Sequence, residues 1–195
     1  MSHPPIPESM VTGIILAGGK SSRFGSNKAL FEYQGKKLVE YSIQTLKPLC
    51  EKILISTNQP EKFAFTGLQT VRDTYPDCGP IGGIHACLQQ SESEHHLITG
   101  CDLPWLDTRL FAHILQCSPG FQVVIPSHKG LKETMTCYYN KTSTETLEKA
   151  LQEKQYKILD AIASLKILYP VVDELDFYTE KLFANINYRE DIERG

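Results

Sequence analysis

The sequence predicts an α/β protein: a mostly parallel central sheet with helices on both faces, continued by a C-terminal part of mixed strand directions. Three observations lead there. Apolar runs that read as strands alternate with helical patterns about every twenty residues as far as Pro126, the rhythm of βαβ units. The first run, Val11–Leu16, is contiguous rather than alternating, as in a strand covered on both faces. Gly-rich or acidic stretches stand where the strands would end, on the edge where open α/β sheets take ligands.

The elements follow in order. Residues 1–10 contain Pro4, Pro5 and Pro7 and no apolar core segment, so they read as a flexible tail and not a signal peptide. After the first strand and a glycine loop, 30–36 is a short extended piece and turn. A helix is predicted over 38–49, ended by Pro48, then a strand over 52–57. A short helix over 61–65 and a weaker strand over 68–72 lead to Asp73. A second glycine-rich loop, 73–83, runs through Gly82-Gly83 into a helix ending near Gln90. A fourth strand, 96–100, ends at Cys101-Asp102-Leu103-Pro104; a helix over 108–117 and a strand over 122–126 follow. Beyond Pro126 the rhythm changes. Residues 127–132 read as a polar loop and 134–139 as a strand able to run antiparallel. Helices are expected over 142–152 and 158–162, a strand over 165–172, and a last short helix over 189–194.

Composition narrows the function. The chain has 195 residues, 41% hydrophobic and 22% charged, as in ordinary globular proteins. A net charge of −3 with no basic run argues against general nucleic-acid binding, and no apolar run reaches membrane-spanning length. The cysteines at 50, 78, 87, 101, 117 and 137 form no C-x-x-C pair, which predicts no zinc or redox motif and a reduced, cytoplasmic protein. His85, His113 and His128, and the pair His95-His96 before the fourth strand, have no surrounding motif and read as surface or satisfied histidines.

The chemistry gathers on the first loop. After Leu16-Ala17 the chain turns at Gly18-Gly19, and Lys20, Arg23 and Lys28 follow. Glycines let backbone N–H groups approach a ligand and take φ > 0, and cations balance phosphate charge. The P-loop spacing fails, because Gly13 precedes Gly19 by five intervening residues and stands before the strand's end. The dinucleotide fingerprint fails too, since the next glycine after Gly19 is Gly25. Asp73 and Asp102 each stand at a strand end. Carboxylates beside a phosphate seat call for Mg²⁺, which takes one or two of them plus phosphate and water. The pattern therefore predicts phosphoryl or nucleotidyl transfer without a protein nucleophile. The plain alternative for Asp102 is a cap on the following turn.

The stretch Leu16-Ala17-Gly18-Gly19-Lys20-Ser21-Ser22-Arg23-Phe24-Gly25-Ser26-Asn27-Lys28 resembles the L-A-G-G-x-S-x-R-x-G-x-x-K signature of the molybdenum cofactor guanylyltransferases (MobA-type), within a wider class of nucleotidyltransferases. Gly79-Pro80-Ile81-Gly82-Gly83 and Cys101-Asp102-Leu103-Pro104 fit the same family. The resemblance implies a Rossmann-like nucleotidyltransferase fold, with 11–126 as the nucleotide-binding half and 127–195 as the acceptor-binding part of one domain. It implies that Leu16, Ala17, Gly18, Gly19, Lys28, Asn58, Asp73 and Asp102 bind the nucleotide. Lys28, Arg23 and Asp102 would be catalytic, and Asp102 would be the Mg²⁺ ligand. Gly82, Asn185 and Asn187 would face the acceptor; the alternative for Asn185-Ile186-Asn187 is a turn and helix cap. For the family's Asn after the second strand, Ser56 and Asn58 both stand in the window. The implied substrates are GTP and molybdenum-molybdopterin. Molybdoenzymes or their chaperones and other cofactor-synthesis proteins are the implied partners. Rival readings are a related nucleotidyltransferase, acting for cytidylyl transfer to the same cofactor or on a sugar phosphate, and a nucleotide-binding module without catalysis. One departure is visible: Lys132-Glu133-Thr134-Met135 stands where many relatives carry a proline motif, which bears on the acceptor pocket.

Overall fold

The computed structural model describes residues 11–18 and 27–186. The glycine loop from Gly19 through Arg23, Asn187 and the expected helix over 189–194 lie outside the described residues.

Strand β1 (Val11–Leu16) is buried at every position. A hairpin follows, β2 (Glu32–Tyr33) against β3 (Lys36–Lys37). Its turn uses Gln34 at φ 48° and Gly35 at φ 78°. Helix α1 (Leu38–Leu46) buries Leu38, Val39, Ser42 and Leu46. It stops short of the predicted end because residues 47–49 turn ahead of the next strand. Strand β4 (Lys52–Ser56), a 3₁₀ segment (Pro60–Thr66) closed by Gly67 at φ 66°, and β5 (Gln69–Val71) come next. Helix α2 (Pro80–Gln90), β6 (His95–Gly100), α3 (Thr108–Cys117) and β7 (Val123–Val124) complete the regular alternation.

After β7 the chain makes β8 (Ser127–His128), β9 (Leu131–Lys132), β10 (Thr136–Asn140), α4 (Thr144–Gln152), α5 (Ile158–Ala161) and β11 (Ile167–Leu168). The main sheet has the order β11-β7-β10-β6-β1-β4-β5. Only β10 runs antiparallel to its neighbours in it. The parallel sheet with one reversed strand in the C-terminal part is thus the predicted architecture. Helices cover both faces. Alternate sheet residues Ile15, Ile53, Leu97 and Val124 pack toward α1 and α3, while Ile14, Leu54, Ile98 and Val123 pack toward α2, α4 and α5. Among the described residues no helix is long and apolar enough to cross a membrane.

Three expectations are corrected. Residues 127–132 form the small hairpin β8–β9 rather than a loop; its turn uses Lys129 at φ 47° and Gly130 at φ 76°. Gly82 and Gly83 lie inside α2 rather than before it. Pro80 fixes the first helical φ, and Gly79, at φ 70°, makes the N-cap. His95 and His96 lie within β6.

The histidines differ too. His85 is fully buried, and neither ring nitrogen has a hydrogen-bond partner among the described residues. His96 is fully buried, with Nδ1 at 3.3 Å from the Tyr139 carbonyl. Burial pushes its pKa down to about 4; the Tyr139 bond opposes this, and Lys141 and His95 add to it. Burial lowers His85 and His95 as well. In the unfolded chain these groups take up protons near pH 6.5. Between about pH 6.5 and 4 the unfolded state therefore holds protons the native state refuses, and stability falls as pH falls. The His96 share is on the order of 3 kcal/mol. Urea unfolding at stepped pH is expected to show this slope, and His96→Leu to flatten it.

Candidate active site

Strands β5, β4, β1 and β6 are parallel neighbours, so their carboxyl ends meet on one edge. From β1 the chain steps outward to β4 and β5, then returns to place β6 on the other side of β1. That reversal opens a crevice at the end of β1, the place where such sheets bind ligands. A cavity of about 480 Å³ lies there, within the size range of small-molecule sites.

Leu16, Ala17 and Gly18 line it from the end of β1. The Ala17 N–H donates to the Ser56 carbonyl at 2.9 Å, which carries the β1–β4 ladder past the strand end. Gly18 does not take the left-handed conformation expected for it. A Cβ there would meet only the Ser56 carbonyl, at 3.9 Å, so its missing side chain leaves room rather than allowing a turn.

Asn58 and Asp73 both line the cavity and grip each other. The Asn58 Nδ2 donates to Asp73 Oδ2 at 3.0 Å, and the Asp73 N–H donates to Asn58 Oδ1 at 3.1 Å. The reciprocal pair fixes which way the Asn58 amide points. Partial burial raises the Asp73 pKa above the ordinary carboxylate value; hydrogen bonds from Asn58 and Ser56 oppose this. Ser56 is buried and also lines the cavity, so the two candidates of the sequence window stand at different depths.

Helix α2 supplies the facing wall with Gly79, Pro80 and Gly83. Its N-terminus thereby turns toward the cavity, and such ends favour anions. Gly82 stands one step back: a Cβ there would meet the Tyr75 carbonyl at 3.0 Å and Asp73 Cγ at 3.9 Å. At Gly83 a Cβ would come to 2.3 Å from Ser56 Oγ and 3.2 Å from Leu16 Cδ2. Glycine here lets the helix lie directly on the strand ends. Gly83→Val is expected to destabilise the protein by about 1–3 kcal/mol through overpacking, and to weaken nucleotide binding because it displaces two cavity residues. Urea unfolding together with nucleotide titration checks both effects.

Lys28 and Asp102 meet beside this cavity. Asn27 lines it, accepts from the Ala29 N–H at 3.1 Å, and donates to the Ala17 carbonyl at 3.4 Å. That ties the Lys28 turn to the end of β1. The Lys28 Nζ donates to Asp102 Oδ2 at 2.9 Å, with side chains 15% and 31% exposed. Asp102 follows β6, and its Oδ1 curls to within 2.8 Å of where a Cβ on residue 100 would stand. Asn185 is exposed, and the next N–H, of Ile186, donates to the Asp102 carbonyl at 3.0 Å. The structure thus brings the predicted residues together in two groups, Asn58–Asp73 and Lys28–Asp102–Asn185, with the β1 end between. Burial pushes the Cys87 and Cys101 thiols up to about 12, which disfavours the thiolate form.

The lining includes residues to which the sequence reading gave no site role, among them Asp77 and Met135. Asp77 lines the cavity from the second glycine loop, where its φ of 59° fits a tight turn. Met135 reaches it because antiparallel β10 starts at this edge, a pairing with no local signal.

The family model described as MobA-like NTP transferase domain matches residues 13–166. A protein of Carboxydothermus hydrogenoformans named "Probable molybdenum cofactor guanylyltransferase" is 32% identical over 186 residues, 94% of each chain. One of the same name from Halalkalibacterium halodurans is 31% identical over 195 residues, covering 92% of this chain and 94% of its own. Among solved structures, molybdopterin-guanine dinucleotide biosynthesis protein A from Archaeoglobus fulgidus superposes with a TM-score of 0.80 at 26% identity, covering 94% of this chain and 95% of its own. The 4-diphosphocytidyl-2C-methyl-D-erythritol synthase of Anaerococcus prevotii shares the fold, with a TM-score of 0.75 at 14% identity, covering 96% of this chain and 94% of its own. The chain belongs to the MobA-like NTP transferase family and is a nucleotidyltransferase.

Proposed function

We propose that the protein transfers GMP from Mg²⁺-bound GTP to the terminal phosphate of molybdenum-molybdopterin, releasing pyrophosphate and forming the guanine dinucleotide. The observation that carries this reading is the Lys28–Asp102 pair, 2.9 Å apart, beside a nucleotide-sized cavity at the switch point. The names of the relatives supply the base and the acceptor.

Asp102 suits Mg²⁺. No three His, Cys, Asp or Glu residues cluster as a metal cage among the described residues. A single carboxylate at a phosphate seat is what this ion uses, the remaining ligands being phosphate and water. Bound by Asp102, Mg²⁺ would polarise the phosphoryl group as a Lewis acid. The chain's own residues do the rest. Asn58, held rigidly by Asp73, and the Leu16–Gly18 backbone seat the nucleoside. The N-terminus of α2 offers N–H groups to an anion. Lys28 balances the charge that grows on the leaving pyrophosphate. The acceptor phosphate brings an oxygen nucleophile that is already anionic, so no protein base is needed. Its attack forms the new bond to the α-phosphorus as the bond to pyrophosphate breaks. The acceptor enters from residues 127–195, near Asn185.

The test is to incubate the enzyme with each of the four NTPs, Mg²⁺ and molybdenum-molybdopterin, and to follow pyrophosphate. Release with GTP alone is expected. Release with CTP alone would move the assignment to a cytidylyltransferase. Nucleotide binding without turnover would overturn it.

A further inference from the structure

The turn that carries Asp102 is held on both sides by main-chain bonds. The Gly100 N–H donates to the Met135 carbonyl at 3.0 Å, and the Ile186 N–H donates to the Asp102 carbonyl at 3.0 Å. These two straps come from distant parts of the chain, and one side chain joins them. His128 Nε2 lies 2.8 Å from Glu133 Oε1, two residues before Met135. Its Nδ1 lies 3.2 Å from the Tyr178 hydroxyl. Its ring stacks on Phe183, three residues before Ile186, with centroids 4.5 Å apart and planes at 25°. The His128 side chain is 13% exposed and that of Glu133 23%.

The hairpin that holds His128 is itself docked on the second strap's approach. The Ser127 N–H donates to the Pro170 carbonyl at 2.8 Å, and the Val172 N–H donates to the Ser127 carbonyl at 3.0 Å. The Lys129 N–H donates to the Asp173 carboxylate at 3.0 Å. Strands of two residues supply little ladder of their own, so these side-chain and edge bonds fix where the hairpin stands.

We infer that His128 is a positioning residue for the transfer site: it locks the 133–135 and 183–186 straps together and so sets the Gly100–Asp102 turn. The lock holds in either protonation state. Neutral His128 donates to Glu133 from Nε2 and accepts from the Tyr178 hydroxyl; protonated, it donates to both, because a hydroxyl serves as donor or acceptor. A displacement of about 1 Å in a reacting site costs on the order of 10²-fold in rate, which is why a residue that never touches substrate can matter here.

Three variants test this. His128→Phe keeps the stacking ring and loses both polar bonds. Tyr178→Phe removes one bond. Glu133→Gln keeps a neutral acceptor for Nε2. Amide hydrogen exchange is read at Gly100 and Ile186, with the Ala17 amide, bonded to Ser56, as the internal control. In His128→Phe both strap amides are expected to exchange about tenfold faster through local opening, with Ala17 unchanged. Tyr178→Phe should shift them in the same direction by less, and it decides the matter should His128→Phe fail to fold. Glu133→Gln should stay near wild type. Kinetically, kcat/KM for the acceptor should fall on the order of 10²-fold in His128→Phe while GTP affinity holds. Unchanged strap amides, or equal acceleration at all three positions, would overturn the inference. The kinetic arm rests on the transferase reading above and the exchange arm does not. A wild-type enzyme inert toward GTP would therefore sink that reading and still leave this one decided.

Discussion

Asp102→Asn is expected to leave the fold in place and to reduce turnover by on the order of 10²- to 10³-fold, the cost of one lost charge-stabilising group. The substitution keeps the side chain's shape and an acceptor oxygen facing Lys28. The bond that anchors Ile186 goes to the Asp102 main-chain carbonyl, so it survives. The lost ion pair is about a third exposed on the aspartate side, and pairs of that kind are worth roughly 0–1 kcal/mol. The melting temperature should therefore move by a few degrees at most. What disappears is the negative oxygen that a hard divalent cation needs. Pyrophosphate release measured against Mg²⁺ concentration should show a curve displaced to much higher metal and a low plateau. Curves that superimpose on wild type would take Asp102 out of the site and leave Asp73 as the carboxylate to test.

Lys28→Ala is expected to cost a similar factor, about 10²- to 10³-fold in kcat, for the complementary reason. The ammonium stands 2.9 Å from Asp102, one residue after Asn27, which lines the cavity. On the proposed mechanism its removal takes away the cation paired with that carboxylate and leaves leaving-group charge unbalanced. Lys28→Arg should recover only part, since a planar fork does not occupy the place of a point charge. Steady-state rates with a parallel melt check both variants. Normal turnover in Lys28→Ala would remove the role assigned to it.

Local chemistry made much of this legible. Val11–Leu16 and Thr108–Cys117 stand where the apolar pattern put them, because each buries a contiguous run or a single face. The glycine loops and strand-end acids pointed to the edge of the sheet where the cavity lies; Asn58 and Asp73 line it, and Lys28 and Asp102 pair with each other. The sequence was silent where partners are far apart. Nothing in Ser127–His128 announces a strand: its ladder partner β9 is also only two residues long, and the bonds that dock Ser127 go to Pro170 and Val172, more than forty positions later. Met135 reaches the cavity only through the register of β10 on β6. His85 reads as an ordinary polar helix residue, yet the packing of α2 on the sheet seals it off completely. The Gly82-Gly83 pair was seen as loop chemistry, when Gly83 acts as a spacer between helix and strand ends.

The reversed strand also bears on the order in which the sheet can close. Strands β1, β4, β5 and β6 are complete by Gly100 and pair only with one another, apart from the outer edge of β6. Strand β7 emerges next, yet both of its ladder partners, β10 and β11, are synthesised after it. Until Thr136–Asn140 docks, a chain with β1, β4, β5 and β6 paired has an open edge at β6, and the apolar β7 lacks its β10 partner. Unpaired edges of that kind recruit strands from other chains. Any chain in which the first four strands have paired before β10 docks therefore exposes the β6 edge, and β10 is the piece that closes it.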